Sequence, residues 1–332
     1  MAAGCEEKLA QIRDLSVTYA RAGEPPIHAL RGVSLEIRAG EVIGILGESG
    51  CGKSTLGLSL LRLLPAYARY DSGQIVFRGQ ELLQLDEAAL RAIRGKEIAL
   101  IPQDPALALN PVITVGQQIG EVQRAHLRFS GAQRKARVLE LLAEVGFDQP
   151  QEISHAYPHQ LSGGQRQRVA IAQAMACRPA LLIADEATSK LDSSLQADII
   201  ALLSDIQRRH GMALLFITHD PSLLPGFAHR VVVMYGGQIA EEASTSDAFH
   251  NPLHPYTQAL VGLGARCCVS KGGRLGERLP AIEGAPADLS VVAAGCRFEP
   301  RCSERMEVCT AKSPEETVAD TSRRVSCFKY GN

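Results

Sequence analysis

The chain has 332 residues, enough for one large domain with an appendage or for two ordinary domains, and its 45% hydrophobic and 21% charged content is that of a globular protein. A formal charge of −1 excludes bulk electrostatic attraction to nucleic acid or anionic lipid. No apolar run approaches the roughly 18–20 residues that span a bilayer, and the start, Met1-Ala2-Ala3-Gly4-Cys5-Glu6-Glu7-Lys8, lacks the basic-then-apolar form of a secretion signal. The expectation is a cytosolic protein that reaches any membrane process through partners.

Residues 9–40 read as short strands and turns. Leu15 to Tyr19 alternates, Gly23 to Pro26 breaks the pattern, and Val33 to Ile37 alternates again. The apolar run Val42-Ile43-Gly44-Ile45-Leu46 leads into Gly47-Glu48-Ser49-Gly50-Cys51-Gly52-Lys53-Ser54-Thr55, which meets the phosphate-loop pattern G-x-x-x-x-G-K-[ST] without a mismatch. Leu56, Leu58, Leu60, Leu61 and Leu64 follow in a helix-compatible run, so the motif has its strand–loop–helix setting. Glycines let the backbone curl until several N–H groups face a polyphosphate, and the helix N-terminus adds positive potential. Lys53 brings a full charge to the β- and γ-phosphates, and the Ser54 hydroxyl is placed to ligate Mg²⁺. A nucleoside triphosphate is the expected ligand.

Further on, Asp71-Ser72-Gly73 reads as a turn into Gln74-Ile75-Val76-Phe77, residues 86–94 as a short helix, and Ile98-Ala99-Leu100-Ile101 as a buried strand ending at Pro102-Gln103. Residues 112–176 read as helical, with the clearest face at Val138, Leu141, Leu142 and Val145. Within them Leu161-Ser162-Gly163-Gly164-Gln165 has capping-box spacing and two glycines that expose backbone N–H groups, a second anion site without a lysine. Leu181-Leu182-Ile183-Ala184-Asp185-Glu186 is an apolar strand ending in two carboxylates. Asp185 is suited to hold Mg²⁺, directly or through water, and Glu186 to polarise an attacking water. Leu195, Ile199, Leu202, Leu203 and Ile206 mark an amphipathic helix, with Ser193 and Gln196 spaced for a capping box, before the strand Leu214-Leu215-Phe216-Ile217-Thr218. Such alternation predicts a largely parallel α/β sheet covered by helices. Beyond about Asn251 no long periodic segment remains, and residues 251–332 read as a small appended region that needs a staple.

A phosphate loop, then Leu-Ser-Gly-Gly-Gln, then an apolar strand ending in Asp-Glu: across residues 9–250 this order resembles the ATP-binding cassette (ABC) ATPases. The resemblance implies a phosphate-loop α/β fold with a mostly parallel sheet, an N-terminal antiparallel β subdomain and a helical subdomain at about 105–176, together spanning residues 1–250. It implies that Gln103 links Mg²⁺ to the contact with a transmembrane partner, that His219 touches the γ-phosphate and that Tyr19 stacks on adenine. Asp192 would lie in a loop meeting the opposite subunit. Two cassettes would close head to tail, each ATP held between one chain's phosphate loop and the other's Ser162, Gly163, Gly164 and Gln165, with hydrolysis reopening the pair. The chain departs from the family at Lys190 in Ser189-Lys190-Leu191-Asp192, where a small residue is usual; Lys190 is either solvated surface or meets an acidic group on a partner.

Ile101-Pro102-Gln103-Asp104-Pro105 with Leu109-Asn110-Pro111, then Asn251-Pro252-Leu253-His254-Pro255-Tyr256-Thr257, and the tail Gly295-Cys296-Arg297-Phe298-Glu299-Pro300-Arg301-Cys302 with Cys309 and Cys327, resemble the ATP-binding subunits of dipeptide and oligopeptide importers. The likeness implies an ATPase working with two permease subunits, a paralogous ATPase (or a second copy) and an extracytoplasmic solute-binding protein, peripheral at the cytoplasmic face of the membrane. Import of nickel or a metal chelate is the near alternative. A non-transport cassette in DNA repair or translation would show two cassettes or a long coiled-coil insertion, and a regulatory nucleotide-binding module would lack the base or the glycine motif.

The chain has nine cysteines, six of them in its last 66 residues. In a reducing compartment such clustering suggests a metal before disulfides. Cys296, Cys302, Cys309 and Cys327 lack the close C-x₂₋₄-C pair usual for zinc, which suits an iron–sulfur centre better. The family resemblance implies a 4Fe–4S cluster held there as a staple in a cysteine-rich extension, with zinc or free or disulfide-linked thiols as alternatives. Cys267 and Cys268 are neighbours and read as structural.

Overall fold

The structure, a computed structural model, describes residues 8–269, 282–320 and 323–331. In chain order it begins with two long strands, β1 (Lys8–Tyr19) and β2 (Ile27–Arg38), then β3 (Val42–Leu46), the phosphate loop and helix α1 (Lys53–Leu60). β4 (Ala68–Phe77), β5 (Gln80–Glu81), α2 (Glu87–Ile93) and β6 (Ile98–Ile101) follow. Five helices come next: α3 (Pro105–Ala108), α4 (Val115–His126), α5 (Gly131–Glu144), α6 (Pro150–His155) and α7 (Gly163–Ala174). The chain returns through β7 (Leu181–Asp185), α8 (Ser193–His210), β8 (Ala213–Thr218), β9 (Arg230–Tyr235) and β10 (Gln238–Ser244). The last elements are α9 (Thr245–His250), α10 (Pro255–Val269), α11 (Glu307–Ala311), β11 (Thr317–Asp320) and β12 (Arg323–Val325).

The described chain forms two compact units, one of residues 38–41 and 84–216 and one of residues 8–37, 42–83 and 217–331. In the first, β6 and β7 pair in parallel from Ile98 opposite Leu181 to Ile101 opposite Ala184, and β8 lies on the far side of β7. Every residue of β7 and β8 is buried, so these strands read as continuous apolar runs without alternation. The helices bury the stripe expected of them: Val138, Leu141, Leu142 and Val145 are all buried, as is Ile119 of α4.

In the second unit an antiparallel sheet runs β2-β1-β4-β5, and a separate series runs β11-β12-β10-β9-β3. β3 pairs with β9 in parallel, while β9, β10, β12 and β11 pair antiparallel. The tail therefore adds strands to the edge of β10, with Glu241 opposite Val325 and Glu242 opposite Arg324. The buried Glu242 pairs with Arg230 and Arg324, and the buried Glu241 takes Arg323 at 3.5 Å.

Three local expectations are corrected. Asp71-Ser72-Gly73 lies inside β4, because β1 shifts register opposite it between Arg13 and Val17. Gly73 sits at φ 97°, where a Cβ would meet the Arg13 carbonyl oxygen at 2.6 Å, so the glycine serves the bulge. The cap of α8 is Asp192, whose carboxylate accepts from Ser194 N (3.1 Å) and Leu195 N (3.0 Å), in place of a Ser193–Gln196 box; a charged acceptor suits the positive helix end better than a hydroxyl. α10 is a 15-residue helix where no long periodic segment was expected, since Tyr256, Thr257, Leu260 and Val261 are all buried and no polar face marks a period. Among the described residues no helix is long and apolar enough to cross a membrane.

Candidate nucleotide site

The phosphate loop belongs to the second unit, where β3 ends and α1 begins. Gly47 is dictated by packing: a Cβ there would lie 2.3 Å from the Met234 carbonyl oxygen and 2.7 Å from Cys51 Sγ. Gly50 (φ 80°) and Gly52 (φ 106°) supply the left-handed backbone that curls the loop, and Gly52 caps α1 with no side-chain bond. Lys53 is buried and folds back inside the loop, donating to the carbonyl oxygens of Gly47 (2.8 Å) and Glu48 (2.9 Å). Ser49, Gly50 and Ser54 are exposed, and the buried Thr55 shares a 3.0 Å hydrogen bond with the Tyr19 hydroxyl. The half-buried Tyr19 ring lies 5.8 Å from the Tyr67 ring, and the Arg21 guanidinium lies 4.3 Å from the Tyr67 centroid. Burial raises the Tyr19 phenol above its ordinary pKa. His219 is exposed directly after β8.

The first unit carries the other candidates. Asp185 is the buried last residue of β7. Glu186 stands at φ 46°, a strained backbone for a non-glycine residue, and accepts a 2.7 Å hydrogen bond from Gln103 Nε2 across 83 residues. Ser162 and Gln165 form the expected reciprocal cap, Ser162 Oγ accepting from Gln165 N at 3.3 Å and Gln165 Oε1 from Ser162 N at 2.9 Å. The two glycines after Ser162 differ. A Cβ on Gly164 would press Leu195 at 3.3 Å, so close packing of α7 on α8 asks for glycine there, whereas Gly163 has nothing within 4 Å and no packing reason to lack a side chain. The exposed Asp192 spends its carboxylate on capping α8. Lys190 is neither merely solvated nor dependent on another chain for a partner, because it forms an ion pair with Asp104 of its own chain. A cleft of about 200 Å³ lies beside that pair and is lined in part by Gln103, Gly163 and Leu191.

Sequence reasoning missed two residues that grip the phosphate loop from afar. The Tyr256 hydroxyl accepts from Glu48 N at 2.9 Å, and Arg301 holds the Glu48 carboxylate with both of its terminal nitrogens. Each lies in a motif singled out in the sequence, Asn251 to Thr257 and Gly295 to Cys302, but neither motif pointed to a contact with Glu48. Next to Tyr256, His254 is buried, its Nδ1 accepting from Tyr256 N at 3.0 Å, and burial lowers its pKa to about 4. Folding thus favours neutral His254, so its stability contribution is complete above pH 6.5 and is lost as pH falls from about 6.5 to about 4. Urea titrations across that range should show a loss of about 3 kcal/mol that His254→Gln removes.

Cys296, Cys302, Cys309 and Cys327 are free thiols, Cys309 buried and the others partly so. Burial pushes the Cys296 thiol up to about 11 and raises Cys302 and Cys327, with their neighbouring thiols adding to each rise. Among the described residues no three His, Cys, Asp or Glu side chains converge to hold a metal ion. Cys5 and the side chains of Cys267 and Cys268 lie outside the described residues.

Fold and loop together define an ATPase of the ABC type. The family described as ABC transporter matches residues 30–189, and the oligopeptide/dipeptide transporter C-terminal region matches residues 240–309. The chain is similar to the dipeptide transport ATP-binding protein DppD of Bacillus subtilis, 42% identical over 323 residues that cover 97% of this chain and 95% of that one. It is 41% identical to DppD of Escherichia coli K12, covering 91% of each. Among solved structures it resembles the dimeric ATP-binding cassette MJ0796 in a post-hydrolysis state bound to ADP and Pi, at TM-score 0.64 and 30% identity, covering 71% of this chain and 98% of that one. The chain belongs to the ABC transporter ATP-binding proteins, in their oligopeptide/dipeptide branch.

Proposed function

We propose that the chain is the ATP-hydrolysing subunit that powers import of dipeptides or oligopeptides through separate membrane subunits. The observation that carries this reading is likeness to peptide-transport ATP-binding proteins along 97% of the chain, tail included, because a cassette alone would not distinguish transported solutes. In this reading Gly47 to Thr55 cradle the phosphates, Lys53 neutralises them, Tyr19 stacks on adenine and His219 meets the γ-phosphate. Ser54, Gln103 and Asp185 offer oxygen donors of the kind Mg²⁺ prefers and would hold it, and the ion would supply positive charge at the phosphates. Glu186, oriented by Gln103, takes the proton of the attacking water. Ser162, Gly163, Gly164 and Gln165 serve the ATP of an opposing subunit, with Asp192 in the adjoining loop. The freedom of Gly163 from any packing demand supports a backbone kept open for such a partner.

Partners in this reading are two permease subunits, a second ATPase (paralogous or identical) and an extracytoplasmic solute-binding protein, which set the chain at the cytoplasmic face of the membrane. The chain should co-purify from membranes with a permease pair, and proteoliposomes of the complex should take up a labelled dipeptide only with ATP. Purification without permeases, together with no ATP-dependent uptake, would end the reading.

Cys296, Cys302, Cys309 and Cys327 are retained as holders of a 4Fe–4S cluster that staples the tail. Supporting this are four thiols outside any disulfide, two of them on adjoining backbone, where Cys296 N donates to the Cys309 carbonyl oxygen at 2.8 Å. The lack of a close C-x₂₋₄-C pair favours a cluster over zinc, which stays the alternative occupant. Anaerobic preparations should carry about four irons per chain, and iron-free, colourless protein would remove the cluster from the account.

A further inference from the structure

We propose that Arg301, in the C-terminal tail, is a positioning residue for ATP, holding the phosphate loop in its binding shape through Glu48. The proposal deepens the ATPase reading above and rests on it. Arg301 lies 253 residues from Glu48 in sequence, and its side chain is only 4% exposed. All five of its N–H donors are used. One terminal nitrogen donates to Glu48 Oε2 at 2.6 Å and to the Tyr235 hydroxyl at 3.3 Å; the other donates to Glu48 Oε1 and to the Ile282 carbonyl oxygen, both at 3.0 Å. Nε donates to the Glu283 carbonyl oxygen at 2.9 Å. Such a two-pronged, charge-assisted grip fixes the orientation of a carboxylate as well as its place.

Glu48 is the residue at which the loop is pinned from three sides. Arg301 holds its side chain, the Tyr256 hydroxyl takes its N–H at 2.9 Å, and Lys53 and Cys51 N donate to its carbonyl at 2.9 Å and 3.3 Å. The grip has a firm base, because the Glu299–Arg301 turn follows the buried Phe298, which packs edge-on against Tyr235 at 5.2 Å and against Tyr256 at 5.3 Å. A loop that must keep Gly50 and Gly52 in left-handed backbone is the kind of element whose affinity depends on being ordered before the ligand arrives. Arg301 touches no atom that reacts. Its effect should therefore appear in binding and spare the chemical step.

The test uses the full chain and measures KM and kcat for ATP together with the melting midpoint of the nucleotide-free protein. Arg301→Ala is expected to raise KM about tenfold with kcat within about twofold of wild type. Arg301→Lys should regain only part of the loss, since a lysine cannot fork. Glu48→Gln should raise KM about threefold, and Arg301→Ala combined with Glu48→Ala should be no worse than Arg301→Ala alone, as coupled partners require. An unchanged KM in Arg301→Ala, additive losses in the double variant, or an effect confined to the melting midpoint overturns the proposal. Should Arg301→Ala fail to fold, Glu48→Gln decides, and a wild-type KM there overturns it. Failure of the wild-type chain itself to bind ATP would instead strike the ATPase reading.

Discussion

Glu186→Gln is expected to lower ATP turnover by a factor of about 100 to 1,000 while leaving ATP affinity nearly intact, since general-base catalysis contributes on that scale. The substitution keeps the size of the side chain and an oxygen able to accept from Gln103 Nε2, so the 2.7 Å bond that orients it can persist. What is lost is the negative charge that, in the proposed role of base, would draw a proton from water. The strained backbone at φ 46° points the same way, because a non-glycine residue persists there only when its surroundings hold it. With hydrolysis stopped, ATP should remain bound and keep two chains together. Phosphate release measured beside gel filtration in ATP tests both halves of the expectation, and wild-type turnover in the variant would remove Glu186 from the role of base.

Lys53→Ala should cost at least about a hundredfold in ATP affinity, read by calorimetry or by displacement of a fluorescent nucleotide. Lys53 is 4% exposed, and its ammonium donates hydrogen bonds of 2.8 and 2.9 Å to the carbonyls of Gly47 and Glu48. Those carbonyls are neutral dipoles that compensate a buried charge only in part, whereas a polyphosphate compensates it fully. Two charge-assisted bonds from the ammonium to phosphate oxygens, at about 1.5–3 kcal/mol each, would account for a loss of that size. The deletion also strips a donor from two loop carbonyls, so some disorder of the loop should accompany it. Affinity within about threefold of wild type would mean that Lys53 does not meet the phosphates.

What could be read beforehand was local. The phosphate loop, the Ser162–Gln165 cap and the acids ending β7 each fall within a few residues of chain, where spacing alone dictates the geometry. Distance in sequence hid the rest. Arg301 reaches Glu48 over 253 residues, Tyr256 over 208 and Lys190 reaches Asp104 over 86, and no periodicity carries such information. Competition between neighbours hid the cap of α8, where Asp192 displaces Ser193 one position away. The register shift of β1 turned an apparent loop at Asp71 to Gly73 into strand.

The pairing of β12 with β10 bears on how far this chain could be shortened. Ended at residue 250, it would leave one flank of β10 with bare amide and carbonyl groups, a template onto which another chain could add itself. Glu241 would forfeit Arg323 and the backbone donors of Leu253 and His254, and Glu242 would keep Arg230 but lose Arg324. A clipped version, even with every nucleotide-contacting residue in place, would thus carry an adhesive rim and an excess of enclosed negative charge. It would be prone to clump before it could work.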